Sequence, residues 1–332
     1  MSTTIPRQAP PQAVEAAAHV AGRRTPQRLS KRARHQRLWF FIFISPWLAG
    51  FLIFTIGPMI YSFVMSFTNW SFVNPGVEWV GLDNYRNILV IAKDTEGARF
   101  YRTLLNTLQY GMVMVPINLF LSLILAYLLS FKVKGQQFFR TVYYLPAIVP
   151  VVASVVLFQR MLAKNGLIND VLALVGIDGP SWLTDQDYVV HAFVIMALWG
   201  IGANMILLLS AINGIGPEMY ESATLDGANR IQMFWAITIP QITPIIFFNL
   251  ITGIIGSLQV FTQVYMVTAD FGGYFPDGSS MVVPLLFNEA FRYGRAGSAS
   301  AMAWVLFALV LLLALLIFKS SKSWVFYEED VD

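Results

Sequence analysis

Long apolar runs recur along this chain at 39–67, 104–130, 140–162, 188–214, 241–268 and 297–318. An α-helix rises about 1.5 Å per residue, so roughly 20 such residues cross the hydrocarbon core of a bilayer. Backbone N–H and C=O groups find no water there, and a helix satisfies them within each run. The predicted fold is therefore all-α and transmembrane, with about six spans. Composition agrees. The 332 residues are 56% hydrophobic and only 12% charged, about half the charged share of a soluble domain. The first, fourth and fifth runs are longer than a span needs, which predicts tilt or projection beyond the bilayer. Pro46, Pro58, Pro116, Pro146, Pro150 and Pro244 fall within the runs. Proline is tolerated there where neighbours or water satisfy the carbonyl it frees.

Residues 1–38 are polar, rich in Pro, Ala and Arg and without apolar period, and read as a disordered basic tail. The apolar stretch that follows is too long for a cleaved secretory signal and reads as a first span. Residues 39–320 form one transmembrane domain and 321–332 a short second tail. Lys and Arg set the orientation. With the N-terminus inside, both tails, the 131–140 connection (Lys132, Lys134, Arg140) and the 215–240 loop (Arg230) are cytoplasmic. Most of the 22 basic residues then lie inside. The outer loops 68–103, 163–187 and 269–296 hold more than half of the 19 acids, among them Asp83, Asp170, Asp178, Asp185, Asp187, Asp270 and Asp277.

Several chemistries find no residues to carry them. There is no cysteine, so no thiol nucleophile or Cys-based metal site. His19, His35 and His191 show no metal-ligand spacing, and no catalytic set or carboxylate pair is visible. No G-x-x-x-x-G-K-[ST] string is present to cradle ATP. The net charge of +3 comes without basic residues interleaved with aromatics, so nucleic acid is not an expected partner. No cofactor and no metal is expected.

Between the fourth and fifth apolar runs lies a polar stretch, Glu221-Ser222-Ala223-Thr224-Leu225-Asp226-Gly227-Ala228, continuing to Ile237-Thr238-Ile239-Pro240. Residues 217–228 are mostly helix formers. Pro217 suits a first helical turn, and Glu218 and Glu221 near the helix start favour the macrodipole. Gly227 can end this helix, and a second short one can begin near Asn229. Ala223 and Gly227, four apart, are expected on one face, where small residues let a partner backbone approach. Met219, Tyr220, Leu225 and Met233 offer apolar contact. The spacing E-A-A, three residues, G, nine residues, I-x-L-P is approximated, with Ser222 and Ile239 as departures. This stretch resembles the cytoplasmic EAA coupling loop, about 215–240, of the membrane subunits of binding-protein-dependent ABC importers.

Other strings carry the resemblance along nearly the whole chain from about 38 to 325. Phe67-Thr68-Asn69-Trp70 and Trp79-Val80-Gly81-Leu82-Asp83-Asn84-Tyr85 follow the first span. Tyr144-Leu145-Pro146-Ala147-Ile148-Val149-Pro150 follows the first inner connection. Asn165-Gly166-Leu167-Ile168-Asn169 and Trp182-Leu183-Thr184-Asp185 stand in an outer loop, and Gly294-Arg295-Ala296-Gly297-Ser298-Ala299-Ser300-Ala301 opens the last span. These are similar to carbohydrate-uptake permeases of the maltose, lactose and glycerol-phosphate kind, the compact lactose or glycerol-phosphate type in particular.

The resemblance implies a non-catalytic permease subunit in a bacterial or archaeal inner membrane with both termini cytoplasmic. It implies a second, homologous permease chain, a cytoplasmic ATPase dimer, an extracytoplasmic solute-binding protein, a sugar or polyol substrate and membrane lipid as partners. Glu221, Ser222, Ala223, Asp226, Gly227, Ala228, Ile237 and Pro240 would couple to the ATPase. The substrate path is expected where spans four and five carry polar and aromatic side chains: Trp199, Asn204, Asn249, Ser257, Gln259 and Gln263, with Asn118 on span two. At roughly 100° per residue Asn249, Gln259 and Gln263 fall near one another, and Ser257 lies to the side. The same side chains also serve as interhelical hydrogen-bonding groups. The alternative reading is a secondary transporter or channel, which ordinarily needs ionisable residues within its spans; these spans have almost none.

Overall fold

The computed structural model describes residues 31–72, 76–90, 96–131, 134–269, 272–275 and 280–326. His19, Lys132, Asp270, Asp277 and nearly all of the expected N-terminal tail lie outside the described residues. The chain divides into two units, one ending at Tyr61 and one beginning at Ser62.

The first unit is helical. Helix α1 (Lys31–Phe51) passes through a wide π-helical turn at Leu52–Ile56 into α2 (Gly57–Met65). Pro58 explains the turn. A proline in a helix lacks an N–H and its ring crowds the carbonyl four residues back. The wide turn closes with Gly57 N–H donating to Leu52 O, five residues back, and the helix continues.

The second unit holds α3 (Asp83–Leu89), α4 (Glu96–Ser130), α5 (Gln136–Ile148), α6 (Val151–Met161), α7 (Leu167–Leu174), α8 (Gln186–Leu198), α9 (Gly202–Asn213), α10 (Pro217–Leu225), α11 (Arg230–Met233), α12 (Ile239–Leu258), α13 (Thr262–Thr268), α14 (Val282–Phe287) and α15 (Ala296–Ser321). π-Helical turns join α11 to α12 and follow α14. Among the described residues the only extended pairing is a single antiparallel bridge between Thr68 and Trp79.

Four helical stretches are long and apolar enough to cross a membrane: Leu38–Met65, Gly97–Ser130, Arg230–Thr268 and Ala296–Ser321. Among the described residues two further bent pairs bring the number to as many as six, if each pair is one span. The third apolar run is not one helix, as the sequence suggested. The helices α5 and α6 meet at 96°, because Pro150 offers no N–H and forces Val149 into an extended conformation (φ −65°, ψ 130°). The fourth run bends by 49° between α8 and α9. The second and fifth helices begin earlier than expected, at Glu96 and Arg230.

Helix α4 is the spine, packed against α8, α9 and α12. Three apolar clusters surround it. Phe158, Phe193, Val264 and Met281 build one, Ile88, Phe100, Leu285 and Met302 a second, and Ala126, Met205, Leu208 and Ile242 a third. Where α9 meets α5, Gly202 lies against the Tyr143 carbonyl. Any Cβ at 202 would overlap that backbone, so the close crossing needs glycine.

The strings after the first span have structural work. Asn84 Nδ2 donates to Ser66 O and Thr68 O, both at 2.9 Å, and the Ser66 and Tyr85 hydroxyls lie 2.7 Å apart. Gly297 N–H donates to Trp70 O at 2.9 Å. These bonds fasten the segment 66–70 to α3 and to the start of α15.

Candidate functional site

The loop from Pro217 to Pro240 is built from local rules. Pro217 starts α10 at its first turn, where its missing N–H would be unpaired anyway. The helix stops in a Schellman arrangement. Ala228 N–H donates to Ala223 O at 2.9 Å and Gly227 N–H to Thr224 O at 3.1 Å. Gly227 takes φ +80°, a left-handed conformation that costs an L side chain about 1 kcal/mol or more. Two residues later Asn229 and Gln232 form a reciprocal capping box at 2.8 and 2.9 Å, which starts α11. Pro217, Gly227 and Asn229 therefore do locally what their residue types predict. One expectation fails. Ala223 and Gly227 do not share a helix face, because Gly227 stands past the helix end.

The loop is anchored from two sides. Tyr127 near the end of α4 donates to Arg230 O at 3.3 Å and packs on Phe234 with ring centroids 4.5 Å apart. The Arg230 guanidinium sits 5.2 Å from the Phe131 ring centroid, a cation–π distance. The Tyr220 and Thr238 hydroxyls lie 3.0 Å apart, joining α10 to the π-helical turn. The sequence reading missed Tyr127 and Phe131. Their spacing of four at the end of a span was the available signal.

The remaining surface is open. Glu221, Ser222, Asp226 and Gly227 are exposed, whereas Ala223, Ala228, Ile237 and Pro240 are half-buried. Leu225, Ile231 and Trp235 are 89%, 71% and 65% exposed. Of these, Ile231 and Trp235 stand at the start of the membrane-crossing stretch Arg230–Thr268, and Leu225 stands outside it at the end of α10. The site thus divides. Its first half presents side chains outward, and Ile237 and Pro240 support the frame. The wide turn at Phe234–Thr238 closes with Ile239 N–H donating to Phe234 O, one residue before Pro240, repeating the solution found at Pro58.

The polar residues of the expected substrate path do not form one face. Helix α12 ends at Leu258, and Gln259 (φ −110°, ψ 15°) and Phe261 (φ −129°, ψ −65°) break the helix before α13. The helical phase linking Asn249 to Gln259 and Gln263 is therefore lost. Ser257 is buried with its hydroxyl on Ile254 O at 2.9 Å, beside an apolar cavity of about 300 Å³ shared with Leu108, Val115 and Leu313. Asn249 is buried, and its amide nitrogen has no partner among the described residues. Gln259 is exposed and Gln263 half-buried. Asn204 donates to Asn118 Oδ1 at 2.7 Å, so spans two and four are joined by a side-chain amide pair. Trp199, 41% exposed at the bend between α8 and α9, packs edge-on to Phe158 at 5.7 Å.

Among the described residues no group of His, Asp and Glu could hold a metal ion. In comparison with known proteins, the family model described as "Binding-protein-dependent transport system inner membrane component" matches residues 118–323. The "Probable ABC transporter permease protein YesP" of Bacillus subtilis (strain 168) is 36% identical over 302 residues, covering 90% of this chain and 95% of that protein. The "Lactose transport system permease protein LacF" of Rhizobium radiobacter is 33% identical over 287 residues, covering 85% and 93%. Among solved structures, a chain of a bacterial ABC transporter involved in the import of the acidic polysaccharide alginate superposes with a TM-score of 0.71. That match has 25% identity and covers 89% of this chain and 99% of the other.

Proposed function

The chain belongs to the inner-membrane component family of binding-protein-dependent transport systems, and from that premise we propose that it forms one half of the pore of an ABC importer for a saccharide or related polyol. The observation that carries this is the loop 217–240, a capped and anchored helix pair that leaves Glu221, Leu225 and Asp226 exposed at the end of α10, beside a membrane-crossing stretch. Such a surface fits a cleft on a cytoplasmic ATPase subunit. Glu221 and Asp226 in it add carboxylates for basic groups on that partner.

In this reading both termini are cytoplasmic. A second, homologous permease chain completes the pore, and a solute-binding protein delivers sugar from outside. ATP binding closes two ATPase subunits and draws the coupling loops together. The pore opens outward, receives the sugar, and reopens inward after hydrolysis, which takes place in the ATPase. The relatives support a saccharide: one is a lactose system permease, and one solved neighbour serves alginate import. The Asn118–Asn204 amide pair, Trp199 and Asn249 supply groups suited to hydroxyl-rich solutes.

The test is uptake by proteoliposomes holding the assembled complex. ATP-dependent, vanadate-sensitive accumulation of a saccharide is expected. Uptake indifferent to vanadate and abolished by an ionophore would establish the secondary-transporter alternative.

A further inference from the structure

A polar cleft of about 510 Å³ opens between the end of α6, the segment before α8 and the end of α13. This volume falls within the range of small-molecule sites, about 300–1,000 Å³. Gln159, Arg160, Lys164, Ser181 and Thr184 line it with donors, and Val267 with an apolar wall. No carboxylate lines it. Lys164 is engaged, reaching Gly179 O at 2.8 Å and Asp178 at 3.3 Å. Arg160 is exposed and, among the described residues, has no hydrogen bond or ion pair. The Ser181 and Thr184 hydroxyls likewise make no hydrogen bond there, and Gln159 donates its amide N–H to Met266 O at 3.3 Å.

The walls are fixed. Asn169, 7% exposed, donates to Lys164 O at 2.9 Å and Pro180 O at 3.0 Å and accepts from Trp182 Nε1 at 2.8 Å. One buried amide thereby holds both sides of the loop. Arg160 in the last turn of α6 suits the helix dipole. A dipole does not, however, call for a cleft or for a second cation beside it.

We propose that this cleft is an anion-recognising subsite at the outer mouth of the pore, taking the carboxylate of an acidic saccharide. The inference rests on the saccharide-import reading. The planar guanidinium of Arg160 matches a carboxylate in a two-bond fork. Ser181, Thr184 and Gln159 meet the sugar hydroxyls, and Val267 lies against the C–H face. A neutral sugar leaves the fork unused.

The test uses the assembled importer in nanodiscs, with saturation-transfer NMR titrations of D-glucuronate and D-glucose. Glucuronate is expected to half-saturate at a concentration about tenfold below glucose, and Arg160→Gln to erase the difference. Arg160→Lys, keeping charge without the fork, is expected to fall between. Equal half-saturation for the two sugars overturns the proposal, as does an acid preference that survives Arg160→Gln. Discs of zwitterionic and of anionic lipid separate the sources of anion. A preference lost in anionic discs means that a lipid headgroup holds Arg160, and overturns the saccharide assignment. Vanadate-sensitive uptake measured in parallel keeps the failures apart. Saccharide uptake without acid preference sinks the subsite alone, and absence of any saccharide uptake sinks the import reading.

Discussion

The Tyr220 hydroxyl lies 3.0 Å from the Thr238 hydroxyl, across the 217–240 loop from helix α10 to the turn that leads into α12. Thr238 is fully buried, so this bond works away from water. It ties helix α10 to the start of the fifth span by their side chains. A double-mutant cycle tests it. Tyr220→Phe and Thr238→Val should each lower ATP-driven uptake several-fold while membrane insertion persists. The double variant should be no worse than the worse single, with a coupling energy of about 0.5–1.5 kcal/mol. Additive losses would show that the two hydroxyls act separately.

Gly227 separates backbone strain from contact. A Cβ there meets nothing within 4 Å inside the chain, but φ is +80°. Gly227→Asn, which tolerates this conformation, should keep most function. Gly227→Ala should destabilise the loop by about 1 kcal/mol. Gly227→Asp adds a charge to the exposed surface and should weaken ATPase co-purification about tenfold, the effect of a 1.4 kcal/mol loss. Full ATPase recovery with Gly227→Asp would remove this surface from the coupling contact.

The Asn118–Asn204 pair and Asn249 make opposite stability predictions. Asn204→Ala orphans a buried amide and should cost about 1–3 kcal/mol. Asn249→Leu removes an amide nitrogen without a partner among the described residues and should leave thermal stability equal or higher. Uptake should fall in both. Thermal melts of the detergent-solubilised complex beside uptake decide it. Wild-type uptake by Asn249→Leu would make Asn249 a packing residue.

Topology is directly readable because the chain has no cysteine. A cysteine at Asp178, whose side chain is 96% exposed, should label from outside intact cells. One at Asp226 should label only after the membrane is opened. The reverse pattern would invert the orientation drawn from Lys and Arg.

The all-helical architecture and the helix pair at 217–240 were legible because their determinants are local. Apolar length marks the spans, and Pro217, Gly227 and Asn229 each act through their own backbone conformation. The common face expected of Asn249, Gln259 and Gln263 does not form, because it depended on an unbroken helical phase from Asn249 to Gln263. The stop at Gln259–Phe261 contains neither Gly nor Pro, the residues that ordinarily announce one. The sharp bend at Val149–Pro150 could have been read, since a proline restricts the residue before it. Six prolines lie in the apolar runs, however, and only the fold distinguishes the one that breaks its helix from Pro116 and Pro244, which sit inside theirs.

The wide turn before Pro240 makes α11 and α12 a single rod. At about 1.5 Å per residue it is roughly 40 Å long from Arg230 to Leu258, so a tilt of about 5° at the loop displaces the far end by roughly 3–4 Å. The rod ends at the break beside Gln259, which is where a tilt at the loop would be read out. This geometry is a lever. Pro240, which would ordinarily have put a joint at its base, is accommodated by one widened turn.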